Sequence, residues 1–310
     1  MRPETEADLA EMIAGATGPL RVQGGGTRPI GVPVAGDVME TGGLSGIRLY
    51  EPGALTLVAG AGTPLSEVDA ALAAEGQRLP FEPMDHRVLL GTTGTPTVGG
   101  MAAVNVSGPR RIQVGACRDF MLGVRFVDGM GRVLKNGGRV MKNVTGYDLV
   151  KLMAGSYGSL GVMSEVSFKV LPKPETSAVI LIEGLSDEKA VRAMSMALGS
   201  PYDVTGVAHA PKGIDGAPVT MVRIEGFEKS VAYRAGQMKA LLADFGDIAV
   251  ETRAERILSG WKWVRDVEAF ADQPGDVWRL SVKPSDAPAL GAALQAEGLL
   301  YDWGGGLIWA

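Results

Sequence analysis

Apolar side chains in the first half of the chain recur in short runs that glycine-rich turns separate. Leu9, Met12 and Ile13 fall on one side of a helix that Thr5 can cap, because a threonine oxygen accepts hydrogen bonds from the first helical amides. Residues 20–23 predict a short strand that leads directly into three consecutive glycines. The opening pattern is therefore helix, strand and glycine-rich turn.

A similar pattern returns between residues 55 and 76. Residues 55–59 predict a strand, Thr63 and Pro64 predict the N-cap and first turn of a helix, and Gly76 predicts its end. Two such units in succession predict an α+β domain.

The rest of the first half predicts a hairpin, a short helix and a strand. Residues 123–127 and 132–134 alternate like strands around a tight turn. A helix is predicted at 147–153, and Asp148 is interpreted as the carboxylate at its start rather than as a group that orients a catalytic residue. Residues 162–170 predict the last strand of this half.

The composition changes at residues 172–174, where two prolines flank a lysine and the glycine clusters stop. Beyond this point the pattern predicts alternating strands and helices. The strands are predicted at 177–182, 204–208, 219–224, 248–252, 277–282 and, as a pair, within 300–309, and the helices at 187–198, 228–245 and 287–297. This order indicates a second α+β domain with a ferredoxin-like layer. We place the boundary near Pro172, with domains at 1–172 and 173–310.

The composition is that of an ordinary globular protein, with 46% hydrophobic and 21% charged residues. A net charge of −5 argues against nucleic acid or an anionic membrane surface as a partner. No apolar run approaches the roughly 20 residues of a membrane helix, and the acidic N-terminus lacks the order of a signal peptide. We expect a cytoplasmic protein that meets a membrane only through its partners.

Cysteine and histidine are scarce. The lone Cys117 excludes an internal disulfide and an iron–sulfur cluster held by this chain. With only His86 and His209 present, no metal site is predicted. His86 lies in a long loop beside Asp85 and is interpreted as a solvated polar residue rather than as a ligand or base.

Gly24, Gly25, Gly26 and Thr27 directly follow the first predicted strand. Consecutive backbone N–H groups in such a loop can converge on phosphate oxygens. The loop matches neither the Rossmann fingerprint nor a P-loop, since the required helix start and Gly-Lys pair do not follow. Taken alone, it is equally consistent with a simple glycine-rich turn.

Residues 97–119 are notably poor in bulky side chains. Small residues let a backbone approach a flat or phosphorylated ligand, and glycine adopts positive φ without steric cost. We predict that this segment wraps an extended cofactor.

Arginines and tryptophans offer a candidate carboxylate site. Trp278 beside Arg279 could bind a small carboxylate, although core and interface packing is the commoner role of tryptophan. Arg110 and Arg111 are further candidates. Lys142 is interpreted as the partner of a carboxylate rather than of an anionic cofactor.

Five blocks in one order carry a family resemblance. They are GGGT at 24–27, TVGGMAAVNVSGPRR at 97–111, RDF at 118–120, KNVTGYDL at 142–149 and GSYGSLGVMSEV at 155–166. This set is similar to that of FAD-linked oxidases with a PCMH-type FAD-binding domain, and more closely resembles glycolate oxidase FAD-binding subunits. The resemblance implies an α+β fold, with FAD held between two α+β subdomains of the first domain and a ferredoxin-like α+β cap domain after it.

The resemblance also implies which residues bind FAD. They are the pyrophosphate loop Gly24, Gly25, Gly26 and Thr27, the second phosphate-side loop Thr97, Val98, Gly99 and Gly100, the ribityl and isoalloxazine path Asn105, Ser107, Gly108 and Gly115, and Val162 on the adenine side. Covalent relatives carry a histidine at the position of Thr27, so noncovalent FAD is expected.

The implied activity is the oxidation of a 2-hydroxy acid, glycolate, to the 2-oxo acid glyoxylate, with flavin as hydride acceptor. The implied partners are a sister FAD subunit and an iron–sulfur subunit. The scarcity of histidine suggests that the sister subunit holds the substrate, and no general base is assigned. The family usually continues for some residues beyond the position of Ala310. Two alternatives stay open: an assembly subunit with a weak or empty flavin site, and a stand-alone FAD oxidoreductase for another 2-hydroxy acid.

Overall fold

A computed structural model describes residues 1–32, 34–139 and 146–310. The chain divides into two compact units, of which unit 1 comprises Met1–Ser107 and Gly115–Lys173, and unit 2 comprises Gly108–Val114 and Pro174–Ala310. The sequence does not predict that residues 108–114 belong with the second unit. The interpretation of Lys142 lies outside the described residues.

The described chain forms both helices and strands. The helices are α1 Glu6–Ala14, α2 Leu65–Ala74, α3 Arg87–Leu90, α4 Val98–Val104, α5 Arg111–Val114, α6 Cys117–Phe120, α7 Leu149–Met153, α8 Asp187–Leu198, α9 Glu228–Leu241, α10 Ala254–Arg265 and α11 Ala287–Leu294. The strands are β1 Leu20–Gln23, β2 Asp37–Glu40, β3 Ile47–Glu51, β4 Thr56–Gly60, β5 Gln77–Arg78, β6 Met121–Val127, β7 Val133–Gly137, β8 Val162–Lys169, β9 Leu171–Pro172, β10 Thr176–Glu183, β11 Val204–Ala210, β12 Val219–Gly226, β13 Ile248–Glu251, β14 Arg279–Ser281, β15 Leu300–Asp302 and β16 Leu307–Trp309. Short 3₁₀ helices lie at Thr41–Gly43, Pro52–Ala54, Ala243–Phe245, Glu268–Phe270, Pro284–Asp286 and Trp303–Gly305.

Unit 1 is built on a five-stranded antiparallel sheet in the order β3-β4-β8-β6-β7. Strands β1 and β2 form a separate parallel pair, and β5 pairs with β9. Phe81 lies in the core, where its ring centroid is 5.9 Å from that of Phe120 and 6.1 Å from that of Phe168. The hairpin of β6 and β7 confirms the predicted strand–turn–strand pattern.

The first helix begins where the sequence predicts. The Thr5 hydroxyl accepts a hydrogen bond from the Asp8 amide at 3.1 Å, and the Asp8 carboxylate accepts one from the Thr5 amide at 2.9 Å. This reciprocal arrangement satisfies two amides that have no partner within the helix. Glu6, in the first turn, binds Arg125 on β6 and the hydroxyl of Ser164 on β8, so the helix is fixed to the sheet.

Unit 2 is organised around a seven-stranded sheet in the order β13-β10-β12-β11-β15-β16-β14, with antiparallel neighbours throughout. Alternate residues of β10 face opposite sides of the sheet. Ile180 and Ile182 pack in the cluster with α8 and α9, whereas Val179 packs in the cluster with α10. Helices therefore pack on both faces of this sheet.

Three local predictions need correction. Thr63 does not cap α2, because its hydroxyl accepts from the Gly46 amide and donates to the Gly46 carbonyl, and Pro64 is the N-cap residue. Residues 97–119 contain helix α4, which the sequence pattern did not predict. Helix α10 was not predicted either. By contrast, Asp148 is confirmed as a helix-start residue, since its carboxylate accepts from the Lys151 amide at 3.1 Å. Within the described residues, no helix has both the length and the apolarity to span a membrane.

The Glu6 ion pair predicts a pH-dependent stability. The hydrogen bond from Arg125 is the main cause that lowers the pKa of Glu6, and burial opposes it. A lowered carboxyl pKa contributes stability above the unfolded-state pKa, and this contribution is lost as the pH falls through the folded-state pKa. We expect Glu6→Gln to lower the urea midpoint of unfolding at neutral pH and to match wild type once acid has protonated Glu6. Glu11→Gln, on the exposed side of α1, is the control, and an equal loss in both variants would contradict the prediction.

Candidate functional site

A cavity of about 480 Å³ opens in unit 1 beside the end of β1. Its lining comes from the loop after β1, from α4 and from the segment that leads into β8, all of which belong to unit 1. The wall combines glycine backbone, the apolar side chains Ile30, Val32 and Val34, and the two cations Arg21 and Arg28. Such a surface suits a ligand with a flat apolar part and a phosphorylated part.

Main-chain contact between two segments shapes one wall of this cavity. A Cβ atom on Gly25 would lie 1.5 Å from the carbonyl oxygen of Thr95, and one on Gly94 would lie 1.7 Å from the carbonyl oxygen of Gly25. A Cβ on Gly24 would lie 2.5 Å from the Thr97 hydroxyl. Glycine is therefore required here by close approach of the two backbones.

The segment after this contact forms α4 rather than an extended wrap. The Thr97 hydroxyl accepts a hydrogen bond from the Gly100 amide at 3.2 Å and so caps the helix. A Cβ on Gly99 would lie 2.7 Å from the Cβ of Ala61, which follows β4, so this glycine lets the helix pack closely on the sheet. Thr97, Gly99 and Gly100 all line the cavity.

The residues that the sequence predicts as FAD contacts divide into two sets. Those that line the cavity are Gly24, Gly25, Gly26, Thr27, Thr97, Gly99, Gly100 and Val162. Those that do not line it are Val98, Asn105, Ser107, Gly108 and Gly115. Their assignment to particular parts of FAD stays a prediction.

The polar residues of the second set bind main-chain groups. The Asn105 side-chain oxygen accepts from the Arg118 amide at 2.9 Å, and the Ser107 hydroxyl accepts from the Cys117 amide at 3.0 Å. Asn105 also ends α4 with φ +53°, a conformation that asparagine tolerates better than most residues. In unit 2, the Gly108 carbonyl accepts from the indole of Trp303 at 3.1 Å. These contacts fix the path of the chain.

Sequence reasoning missed Arg28 and misjudged His86. His86 is only 8% exposed, and its Nδ1 accepts a hydrogen bond from Arg28 Nε at 3.1 Å, so the prediction of a solvated histidine was wrong. The position of Arg28 directly after the glycine loop could have indicated a role at the cavity. His86 gave no such signal, because its partner lies 58 residues away in the sequence.

The candidate carboxylate-binding arginines are engaged within unit 2. Arg110 is 3% exposed and binds the carboxylate of Glu225 through two nitrogens. The guanidinium carbons of Arg111 and Arg279 lie 4.8 Å and 5.2 Å from the centre of the Trp303 ring, within the range of cation–π contacts. The described structure therefore gives these arginines protein partners.

Comparison with known proteins identifies the class of this site. Residues 1–137 match the model of a family described as an FAD binding domain. The fold is similar to that of alkyldihydroxyacetonephosphate synthase, with a TM-score of 0.74 at 16% identity over 100% of this chain and 69% of that one. At that identity the likeness establishes the fold alone. The chain is a flavoprotein that binds FAD.

Curated relatives give the particular family. The glycolate oxidase subunit GlcE of Escherichia coli K12 is 38% identical over 293 residues, which cover 94% of this chain and 75% of that protein. The glycolate oxidase subunit GlcD of Bacillus subtilis is 32% identical over 42% of this chain and 24% of its own length. A D-lactate dehydrogenase of Archaeoglobus fulgidus is 30% identical over 57% of this chain and 38% of its own length. The chain belongs to the GlcE family of FAD-linked oxidoreductases.

The backbone contact at Gly25 predicts a local loss of structure in Gly25→Ala. Because the added carbon meets a main-chain oxygen, the loop must move, and overpacking of this kind costs about 1–3 kcal/mol. We expect a lower thermal midpoint and a lower ratio of flavin to protein absorbance after purification. Gly129→Ala is the matched control, since Gly129 lies in the β6–β7 turn with open space around it. Wild-type flavin content in Gly25→Ala would contradict this account of the wall.

Proposed function

We propose that this chain is the FAD-binding subunit of a complex that oxidises glycolate, or a closely related 2-hydroxy acid, to the 2-oxo acid. The observation that carries the proposal is the 38% identity to GlcE over 94% of this chain. The more distant match to a D-lactate dehydrogenase supports 2-hydroxy acids as the substrate class. Bound FAD supplies the hydride acceptor in such a reaction.

The chain's own contribution is to bind and orient FAD. The main chain at Gly24–Thr27 and the start of α4 at Thr97–Gly100 are proposed to hold the pyrophosphate. All of these residues except Val98 line the cavity, and none of those that line it at these two places carries a large side chain. Val162, 4% exposed, is proposed to contact the adenine side. Thr27 offers no imidazole for a covalent link, so FAD is proposed to be noncovalent.

The proposed partners are a sister FAD subunit and an iron–sulfur subunit. The names of the relatives GlcE and GlcD describe them as subunits, which supports membership of an assembly. An iron–sulfur partner would carry electrons onward from the flavin, a role for which the single Cys117 of this chain does not suffice. We propose that the assembly works in the cytoplasm and contacts a membrane only through its partners.

Co-purification tests the proposal directly. The tagged full-length chain, purified from its own cells, is expected to bring FAD, a second flavoprotein and an iron–sulfur protein. The assembly is expected to reduce a dye with glycolate much faster than the chain alone does. D-lactate and D-2-hydroxyglutarate serve as comparison substrates, and the one with the highest kcat/KM defines the specificity.

Three outcomes would contradict the proposal in different ways. Robust glycolate oxidation by the chain alone would show that it needs no partner subunit, and it would favour a stand-alone oxidoreductase. An assembly that forms with a flavin-free chain would favour an assembly subunit. Oxidation of none of the 2-hydroxy acids by the assembly would remove the substrate class.

A further inference from the structure

Arg28 lies at the cavity wall, and the protein neutralises its charge only in part. Its Nε donates to Nδ1 of His86 at 3.1 Å, while its Nη2 is enclosed without a hydrogen-bond partner among the described residues. A ring nitrogen that accepts a hydrogen bond carries no proton, so His86 holds the guanidinium without cancelling its charge. Arg28 is half-buried, and removing part of a cation from water in this way is costly unless an anion pairs with it.

The carboxylate that acts on Arg28 is already engaged elsewhere. Asp85 binds Arg87, with contacts of 2.7 Å and 3.1 Å to the guanidinium. Burial lowers the pKa of Arg28, and the charge of Asp85 opposes this effect without reversing it. The balance therefore favours a second anion near Arg28.

The geometry indicates where that anion would enter. Arg28 lines the cavity and directly follows the Gly24–Thr27 loop. Its Nη1 lies 3.4 Å from the position of a Cβ on Gly100, a residue that lines the same cavity from α4. The guanidinium thus reaches from one proposed phosphate-side segment to the other.

We propose that Arg28 is the cationic contact for the pyrophosphate of FAD and that His86 is the positioning residue that orients it. The proposal rests on the binding of FAD in this cavity. The two phosphate groups of FAD would place negative charge beside the guanidinium. A hydrogen bond from a guanidinium to a phosphate is charge-assisted and strong. Because Nε is already bound to His86, the free rotation of the side chain is restricted before the cofactor arrives.

Three ligands separate the pyrophosphate from the flavin ring. FAD, ADP and riboflavin are titrated into the flavin-free full-length protein, and the Kd of each is measured for wild type and Arg28→Gln. We expect a weakening of about 10- to 100-fold for FAD and ADP, which corresponds to about 1.4–2.8 kcal/mol, and no change for riboflavin. The dependence of the FAD Kd on salt is expected to be smaller in the variant.

Further variants separate charge, orientation and general stability. Arg28→Lys keeps the charge and is expected to retain most of the affinity for FAD and ADP. If Arg28→Gln fails to fold, the His86 variants still test the proposal. His86→Phe removes the hydrogen-bond acceptor and is expected to weaken the binding of FAD and ADP but not that of riboflavin. His86→Gln restores an acceptor and is expected to recover part of the lost affinity. Arg48→Gln, an exposed charge on β3, is the control and should bind FAD like wild type.

Each contrary outcome has a separate meaning. Wild-type protein that binds no FAD would contradict the cofactor site itself. FAD and ADP binding that is equal in wild type and Arg28→Gln would overturn only the role of Arg28. An equal loss of riboflavin binding in Arg28→Gln would indicate that Arg28 contacts the isoalloxazine ring, and it would overturn the proposed contact with the pyrophosphate.

Discussion

The cavity depends on the direct contact of two backbones in unit 1. Gly25 lies against the carbonyl of Thr95 and Gly94 lies against the carbonyl of Gly25, so neither position has room for a side chain. The segment at 94–95 leads without interruption into Thr97, which caps α4. The same contact therefore fixes the glycine loop, the start of α4 and the space between them. A wall made of main chain is also what close approach to a diphosphate requires.

A buried charge pair fixes the position of residues 108–114 within unit 2. Arg110 and Glu225 are both buried, and Arg223 lies on the same strand as Glu225 with its guanidinium 4.3 Å from the centre of the Trp261 ring. A buried ion pair gives little net stability, but the loss of either partner leaves a costly unpaired charge. The pair thus specifies where residues 108–114 pack within unit 2. An arginine committed to a protein carboxylate in this way is a poor candidate for binding a substrate carboxylate.

The sequence predicts features that local signals determine and misses those that depend on distant contacts. The cap at Thr5, the β6–β7 hairpin and the Asp148 helix start each depend on residues within a few positions, and the structure confirms them. Helix α4 was missed because it contains two consecutive glycines, which have low intrinsic helix propensity. The close approach of Gly99 to Ala61 is a contact between distant residues, which no local pattern records.

Burial of polar residues was the hardest property to predict. A histidine beside an aspartate in a long loop is typical of solvent exposure, and only the folded chain brings Arg28 to His86.

Helix α10 is a different case, since Ile257, Trp261 and Val264 are buried and recur at the helical period. This spacing is typical of an amphipathic helix, so α10 was predictable from the sequence.

The two histidines of the chain are both engaged in contacts with protein groups. His209 is fully buried in unit 2, where its Nδ1 lies 2.9 Å from the Thr220 hydroxyl and its Nε2 lies 3.3 Å from Asp187. Burial is the main cause that lowers the pKa of His209, so the imidazole stays neutral and structural. Nδ1 of His86 accepts the hydrogen bond from Arg28. Both imidazoles are thus engaged within the protein, and under the proposed function a base for the 2-hydroxy acid would come from another group, such as one on the proposed sister subunit.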